Sequence, residues 1–218
     1  MNQYLNKIIN ADCLDILKDI PDKSVDLVLT DPPYGINADK GVGGFGSSSD
    51  LAKKYNDNWD SFTPTKDYFT ELLRVSKHTI IFGGNYFTDL IPVGTSWIVW
   101  DKIGEMKFQN PFSDCELAWT NFNKKTQKKY IVIQQGFIAK EKERFHPTQK
   151  PIELFSRILM DYSKENDIIL DPFLGSGTTA IACIKTNRNF IGIEKEPKYC
   201  EIAQKRIDNE LAQYRMAL

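Results

Sequence analysis

Residues 168 to 194 restrict the possible folds more than any other stretch of this chain. Ile168 to Leu170 reads as a short buried strand and runs into Asp171-Pro172-Phe173-Leu174-Gly175-Ser176-Gly177-Thr178-Thr179, after which a helix continues through Ala180, Ile181 and Ile184. Asn189 to Ile193 forms a second strand that ends at Glu194. A strand, a tight glycine turn, a helix and a second strand make one βαβ unit, the building block of parallel sheets covered by helices. Gly175 and Gly177 let the backbone come close to a ligand. Glu194 lies 23 positions beyond Asp171, the spacing at which doubly wound folds place an acid on ribose hydroxyls. A nucleoside ligand is implied. The glycines do not complete a GxGxxG pattern, and Asp171 beside the turn suits a cationic amino-acid tail better than a pyrophosphate. S-adenosylmethionine carries such a tail, with an ammonium and a sulfonium.

A second stretch, Val25 to Tyr34, is an apolar strand-type run closed by Thr30, Asp31, Pro32 and Pro33. The prolines forbid helix and stiffen the turn that follows the strand. Asp31 offers a carboxylate, the carbonyls beside the prolines offer acceptors, and Tyr34 offers a π face. This set fits a planar amine that donates hydrogen bonds in its plane and stacks through its ring, as an extruded adenine or cytosine would.

The remaining chain alternates strand and helix. Lys7 to Asn10 predicts a strand end, followed by a short helix with Leu14 and Leu17 on one face; Asp12 stands before it, suited to an N-cap and equally to a ligand. A helix is expected over 67–77, strands over 79–82, 96–100 and 116–120, a helix after Pro151 and a last helix over 197–211. The glycine- and serine-rich segment 41–49 predicts a loop, either a cover over substrate or plain surface. Between 124 and 144, Lys124, Lys125, Lys128, Lys129, Lys140, Lys142 and Arg144 face only Glu141 and Glu143, around a strand-like run at 130–134. Because this interrupts the α/β alternation, it reads as a phosphate-contacting insertion, with Lys124, Lys125, Lys128, Lys129, Lys140 and Arg144 as the DNA-binding residues.

With 218 residues, 41% of them hydrophobic, the chain can bury one sizeable core, so 1–218 is expected to be a single domain with small insertions at 37–60 and 102–145. A formal net charge of −1 excludes a uniformly basic nucleic-acid binder and requires any DNA site to be a local patch. No run approaches the roughly 18 apolar residues of a membrane span, and no apolar leader opens the chain, so a cytoplasmic protein is expected. The four cysteines show no CxxC spacing and the two histidines lie far apart, so neither a disulfide framework nor a metal site is indicated.

Asp31-Pro32-Pro33-Tyr34 resembles the active-site tetrapeptide of the beta-type N6-adenine/N4-cytosine DNA methyltransferases. Asp171 to Thr179 resembles that family's cofactor motif, and His146-Pro147-Thr148-Gln149-Lys150-Pro151 the segment before it. The resemblance covers nearly the whole chain, including the family's order: catalytic half first and cofactor half last, a circular permutation of the usual methyltransferase motif order. It implies a Rossmann-like S-adenosylmethionine-dependent methyltransferase fold, with a mostly parallel seven-stranded sheet and helices on both faces. It also implies that Asp31, Pro32, Pro33 and Tyr34 are catalytic, and that Asp171, Phe173, Gly175, Ser176, Gly177 and Thr178 line the methionine and ribose side of the cofactor. Glu194 would take the ribose hydroxyls and Asp12 would reach the adenine ring, although Ala11 stands where the family often has Gly. Lys150 and Thr148 would border the methionine carboxylate, while His146 is either a further contact or a turn-stabilising residue.

The expected reaction is methylation of the N6 amine of adenine in a specific sequence of double-stranded DNA, by base flipping and direct transfer. N4-cytosine methylation and a catalytically silent DNA-binding protein are the alternatives. Adenine is favoured because the N4-cytosine members more often begin the tetrapeptide with Ser. Carbon-5 methylation is rejected, since no cysteine has the Pro-Cys context of that chemistry. A homodimer and a cognate restriction endonuclease are further expected partners.

Overall fold

The computed structural model describes residues 2–36, 62–106, 113–123, 126–134, 145 and 149–216. In chain order the elements are β1 (Lys7–Asn10), α1 (Cys13–Asp19), β2 (Val25–Thr30), α2 (Lys66–Val75), β3 (Ser76–Phe82), a 3-10 turn (Gly84–Tyr86), β4 (Ser96–Asp101), β5 (Cys115–Thr120) and β6 (Gln127–Ile131). They continue with α3 (Ile152–Tyr162), β7 (Ile168–Asp171), α4 (Thr178–Lys185), β8 (Asn189–Glu194) and α5 (Pro197–Met216). Among the described residues, no helix is long and apolar enough to cross a membrane.

All eight strands join one sheet in the order β1-β8-β7-β2-β3-β5-β4-β6. The first five run parallel; β5 is antiparallel to both β3 and β4, and β6 is parallel to β4. The expected α/β, mostly parallel sheet with helices on both faces is therefore present, with one strand more than the seven expected. The additional edge strand comes from the lysine-rich stretch read as an insertion. There the sequence pattern points to 130–134, whereas the strand occupies Gln127–Ile131. Gln127 explains the offset, because its side chain accepts from the Trp97 N–H at 2.7 Å and donates to the Thr95 carbonyl at 3.2 Å, pinning the start of the strand. Lysines on an edge strand also discourage pairing with another chain. The segment 37–60, read as the other insertion, and the loop 41–49 lie outside the described residues.

Parallel strands are covered on both faces, so their sequences are apolar on both sides. On one face Leu27, Leu29, Ile80 and Phe82 pack against Phe155 and Ile158 of α3, Ala182 of α4 and Ile207 of α5. On the other, Val25, Val28 and Ile81 pack against Leu17 of α1 and Phe69 and Leu72 of α2. The helix expected to reach residue 77 ends at Val75 and passes directly into β3, because the Ser76 hydroxyl donates to the Leu72 carbonyl at 2.8 Å and meets Thr79 Oγ1 at 2.7 Å.

From β7 the chain moves outward to β8 on one side, while from β2 it moves outward to β3 on the other. Adjacent β7 and β2 thus form the point where strand order reverses, and such points open a crevice at the carboxyl ends of the strands. Thr30 and Asp171, 141 residues apart, meet there: the Thr30 hydroxyl donates to Asp171 Oδ1 at 2.9 Å. Asp171 also accepts from the Phe173 N–H at 3.1 Å and from the Thr179 hydroxyl at 2.5 Å. Its carboxyl is 4% exposed, and burial, opposed by these hydrogen bonds, pushes its pKa up to about 7.

A raised native pKa means that the folded protein holds this proton where the unfolded chain has lost it. The stabilisation is present below the ordinary value of 3.8 and is lost as pH rises towards about 7. Relative to Asp171→Asn, which cannot titrate, the wild type should lose stability by about 1 kcal/mol per pH unit within that window. Urea unfolding of both proteins at about pH 4.5, 6 and 8 measures it, and a constant difference would refute the assignment.

Candidate active site

Four acids stand at the carboxyl ends of four adjacent strands: Asp12 after β1, Glu194 at the end of β8, Asp171 at the end of β7 and Asp31 after β2. Together they border one cavity of about 790 Å³, whose walls include Pro32, Pro33, Tyr34, Phe173, Gly175, Ser176, Thr178 and Lys150. That volume lies within the range of cofactor and small-molecule sites. The two sequence stretches that suggested separate ligands therefore face a common space.

At the β1–β8 end, Glu194 Oε2 accepts from the Gly175 N–H and Oε1 from the Glu196 N–H, both at 2.8 Å. Burial pushes its pKa up against these two donors. Each oxygen keeps a further lone pair for a ligand hydroxyl. Asp12 caps α1, its Oδ1 accepting from the Leu14 N–H at 3.1 Å, while Oδ2 pairs with Lys195 at 3.2 Å; it lines the cavity while serving as the cap. Phe173 packs edge-on against Tyr68 at 5.2 Å.

Several residues expected to contact a cofactor are occupied by the protein itself. The Asp171 carboxyl accepts from Thr30, Phe173 and Thr179 while bordering the cavity. Ser176 donates to Gln149 Oε1 at 3.2 Å and accepts from Arg206 at 3.0 Å, and Thr178 donates to the Lys150 carbonyl at 3.3 Å. Gly177 is not among the lining residues. Its φ of +90° and a would-be Cβ 3.0 Å from Ala203 explain the glycine as the start of α4, packed close against α5. Thr148 and His146 lie outside the described residues.

At the β2 end, Asp31 Oδ1 accepts from the Tyr34 hydroxyl at 2.6 Å. The Tyr34 ring stacks on Tyr86 at 4.9 Å and meets Phe87 edge-on at 6.1 Å. It presses on Gly83, where a Cβ would lie 2.1 Å from the ring. One ring face that was expected to receive a base is thus covered by Tyr86.

Lys150, expected to border a methionine carboxylate, lines the cavity with its ammonium turned towards Asp31. Its ammonium lies 2.5 Å from Asp31 Oδ2 and 3.2 Å from Glu116 Oε2, between the rings of Tyr34 and Phe82 at 5.8 and 5.5 Å. Gln134 Nε2 donates to the Gln149 carbonyl at 3.1 Å and Thr178 to the Lys150 carbonyl, and these bonds hold the backbone at this point. Burial alone would lower the Lys150 pKa, but Asp31 and Glu116 outweigh it and hold the ammonium charged. Glu116, in turn, is kept below the usual carboxylate range by Lys150 and Lys102 despite its burial.

Glu116 escapes sequence reasoning, as does the cavity wall formed by Cys13, Tyr68 and Tyr199. The only available signal is an acid inside the otherwise apolar β5, opposite Trp100 of β4. Of the expected DNA contacts, Lys128 pairs with Asp161 at 2.6 Å and Lys129 with Asp101 at 3.0 Å. Both sit on β6 and neither lines the cavity. Lys124, Lys125, Lys140 and Arg144 lie outside the described residues.

The model of a family of DNA methylases acting on N6 and N4 positions matches residues 85–205. The Type II methyltransferase M.HinfI of Haemophilus influenzae is 32% identical over 251 residues, an alignment spanning 95% of this chain and 69% of that protein. M.HpaI of Haemophilus parainfluenzae, also a Type II methyltransferase, is 30% identical over 244 residues, covering 94% of this chain and 74% of its own length. Among solved structures, the complex of M1.HpyAVI with SAM superposes with a TM-score of 0.62 at 26% identity, covering 93% of this chain and 98% of that one. The chain belongs to the beta-type N6-adenine/N4-cytosine DNA methyltransferase family.

Proposed function

We propose that this chain methylates the exocyclic N6 amine of adenine within a specific sequence of double-stranded DNA, using S-adenosylmethionine. One observation carries the reading: Asp31, on its proline-stiffened turn, opens into the same cavity as the Glu194 and glycine-turn end of the sheet. The cavity suits this cofactor on its own chemistry. Glu194 has acceptor capacity for ribose hydroxyls, Gly175 leaves room for close backbone approach, and acids border the space where a cationic sulfonium and ammonium would lie. The S-adenosylmethionine complex of the structural neighbour M1.HpyAVI supports the same choice.

The bound cofactor supplies an electrophilic methyl group on a sulfonium. The protein has to make a poor nucleophile reactive, because the lone pair of a base amine is delocalised into the ring. Asp31 and the Pro32 carbonyl accept the amine N–H groups and help to localise that lone pair as nitrogen becomes tetrahedral. Asp31 is held ready for this by the Tyr34 hydroxyl, which fixes Oδ1 and leaves further lone pairs on the carboxylate. Asp31 is also the acceptor we assign to the proton that the methylated amine releases. For Tyr34 to stack on an extruded base, the base must use the face not covered by Tyr86 or displace that ring, gaining roughly 1–3 kcal/mol of stacking.

A covalent route through a thiolate is disfavoured. Cys13 is the cysteine in the cavity wall, and burial, with Asp12 adding to it, pushes its thiol up to about 12. The Type II relatives support sequence-specific DNA as substrate and a cognate restriction endonuclease as partner.

Labelled methyl transfer to unmethylated duplex DNA, followed by nucleoside mass spectrometry, tests the proposal. N6-methyladenine is the expected product, with Asp31→Ala slower by about 10³-fold. N4-methylcytosine would retain the role of Asp31 and overturn the choice of base. Full activity in Asp31→Ala would overturn the mechanism.

A further inference from the structure

From the Asp31 end of the cavity inward, four charged side chains alternate in sign: Asp31, Lys150, Glu116 and Lys102. Lys102 reaches Glu116 Oε1 at 3.2 Å, and Lys150 lies between Glu116 Oε2 at 3.2 Å and Asp31 Oδ2 at 2.5 Å. The alternation cancels the charges, which makes their joint burial tolerable. It also creates a difficulty at the proposed site. With Tyr34 on Oδ1 and the ammonium on Oδ2, both oxygens of Asp31 are already engaged. A carboxylate held by an ammonium in a charge-assisted contact is a weaker acceptor for a neutral base amine.

Glu116 resolves the difficulty. Its Oε2 is buried and makes no aligned hydrogen bond, although the Lys150 ammonium is already within ion-pair distance. Its Oε1 is fixed by Lys102. The open acceptor therefore faces the one group that has to loosen its hold on Asp31. The rings of Tyr34 and Phe82 flank the ammonium and confine it to the slot between the two carboxylates. Building on the amine-methylation reading, we infer that Glu116 is a positioning residue that acts through Lys150. It receives the ammonium as the base amine settles on Asp31, so that Asp31 becomes a full-strength acceptor without leaving a buried charge unpaired. The ammonium keeps its proton throughout; only its hydrogen-bond partner changes.

The test compares wild type, Glu116→Gln, Glu116→Asp, Lys150→Met and the double variant Glu116→Gln/Lys150→Met. Single-turnover methyl transfer is measured with enzyme in excess over duplex DNA, alongside calorimetric affinities for S-adenosylmethionine and DNA. Glu116→Gln should slow transfer by about 10- to 100-fold, with both affinities within about twofold of wild type. Glu116→Asp should recover part of the rate, and the double variant should be no slower than Lys150→Met alone. The inference is overturned if Glu116→Gln transfers at the wild-type rate, if its rate loss is matched by lost cofactor affinity, or if the two substitutions multiply. Absence of methylation by the wild type would overturn the amine-methylation reading itself, and this inference with it.

Discussion

The site exists because β2 and β7 lie side by side. Their parallel pairing, with Leu27 opposite Ile169 and Val28 opposite Leu170, brings together two chain segments that are distant in sequence. The Thr30–Asp171 hydrogen bond then ties their ends at the mouth of the crevice. Without that neighbourhood the Asp31 turn and the glycine turn would be two unrelated loops. With it, the two turns line one cavity. The buried Asp171 carboxyl fastens the two halves together where they border the cavity.

Electrostatics sets the second constraint. Asp31 and Lys150 are too buried to be left unpaired, since an isolated buried charge is strongly disfavoured. The structure meets this by extending the pair into a chain of alternating charges that ends in Lys102 and crosses from β2 to β5 and the loop after β4. The same arrangement gives Lys150 a second carboxylate, Glu116 at 3.2 Å, beside Asp31 at 2.5 Å. A single fixed salt bridge would stabilise the site while blocking it.

Much of this was legible in the sequence because it is local. The βαβ unit, the strand leading to Asp31 and the acid at Glu194 all follow from apolar runs cut by glycine, proline and acidic residues, and all three meet at the carboxyl ends of neighbouring strands. What escaped depends on register between distant strands. Nothing near Glu116 in the sequence says that it will face Lys150, because that follows from β5 running antiparallel between β3 and β4. The Tyr34–Tyr86 stack is equally non-local, and so is the role of Gly177, whose neighbour Ala203 belongs to a later helix. The partners of the β6 lysines are non-local too: Asp161 and Asp101, supplied by other elements, pair with Lys128 and Lys129.

We propose a division of labour within one cavity, with nucleoside binding at the Glu194 end and amine activation at the Asp31 end. Calorimetric titration of S-adenosylmethionine into Glu194→Gln and Asp31→Asn tests that division directly. Glu194→Gln should weaken binding by roughly tenfold or more, through loss of charge-assisted hydrogen bonds, while Asp31→Asn should bind within about twofold of wild type. Unchanged affinity in Glu194→Gln, or an equal loss in both variants, would contradict the account.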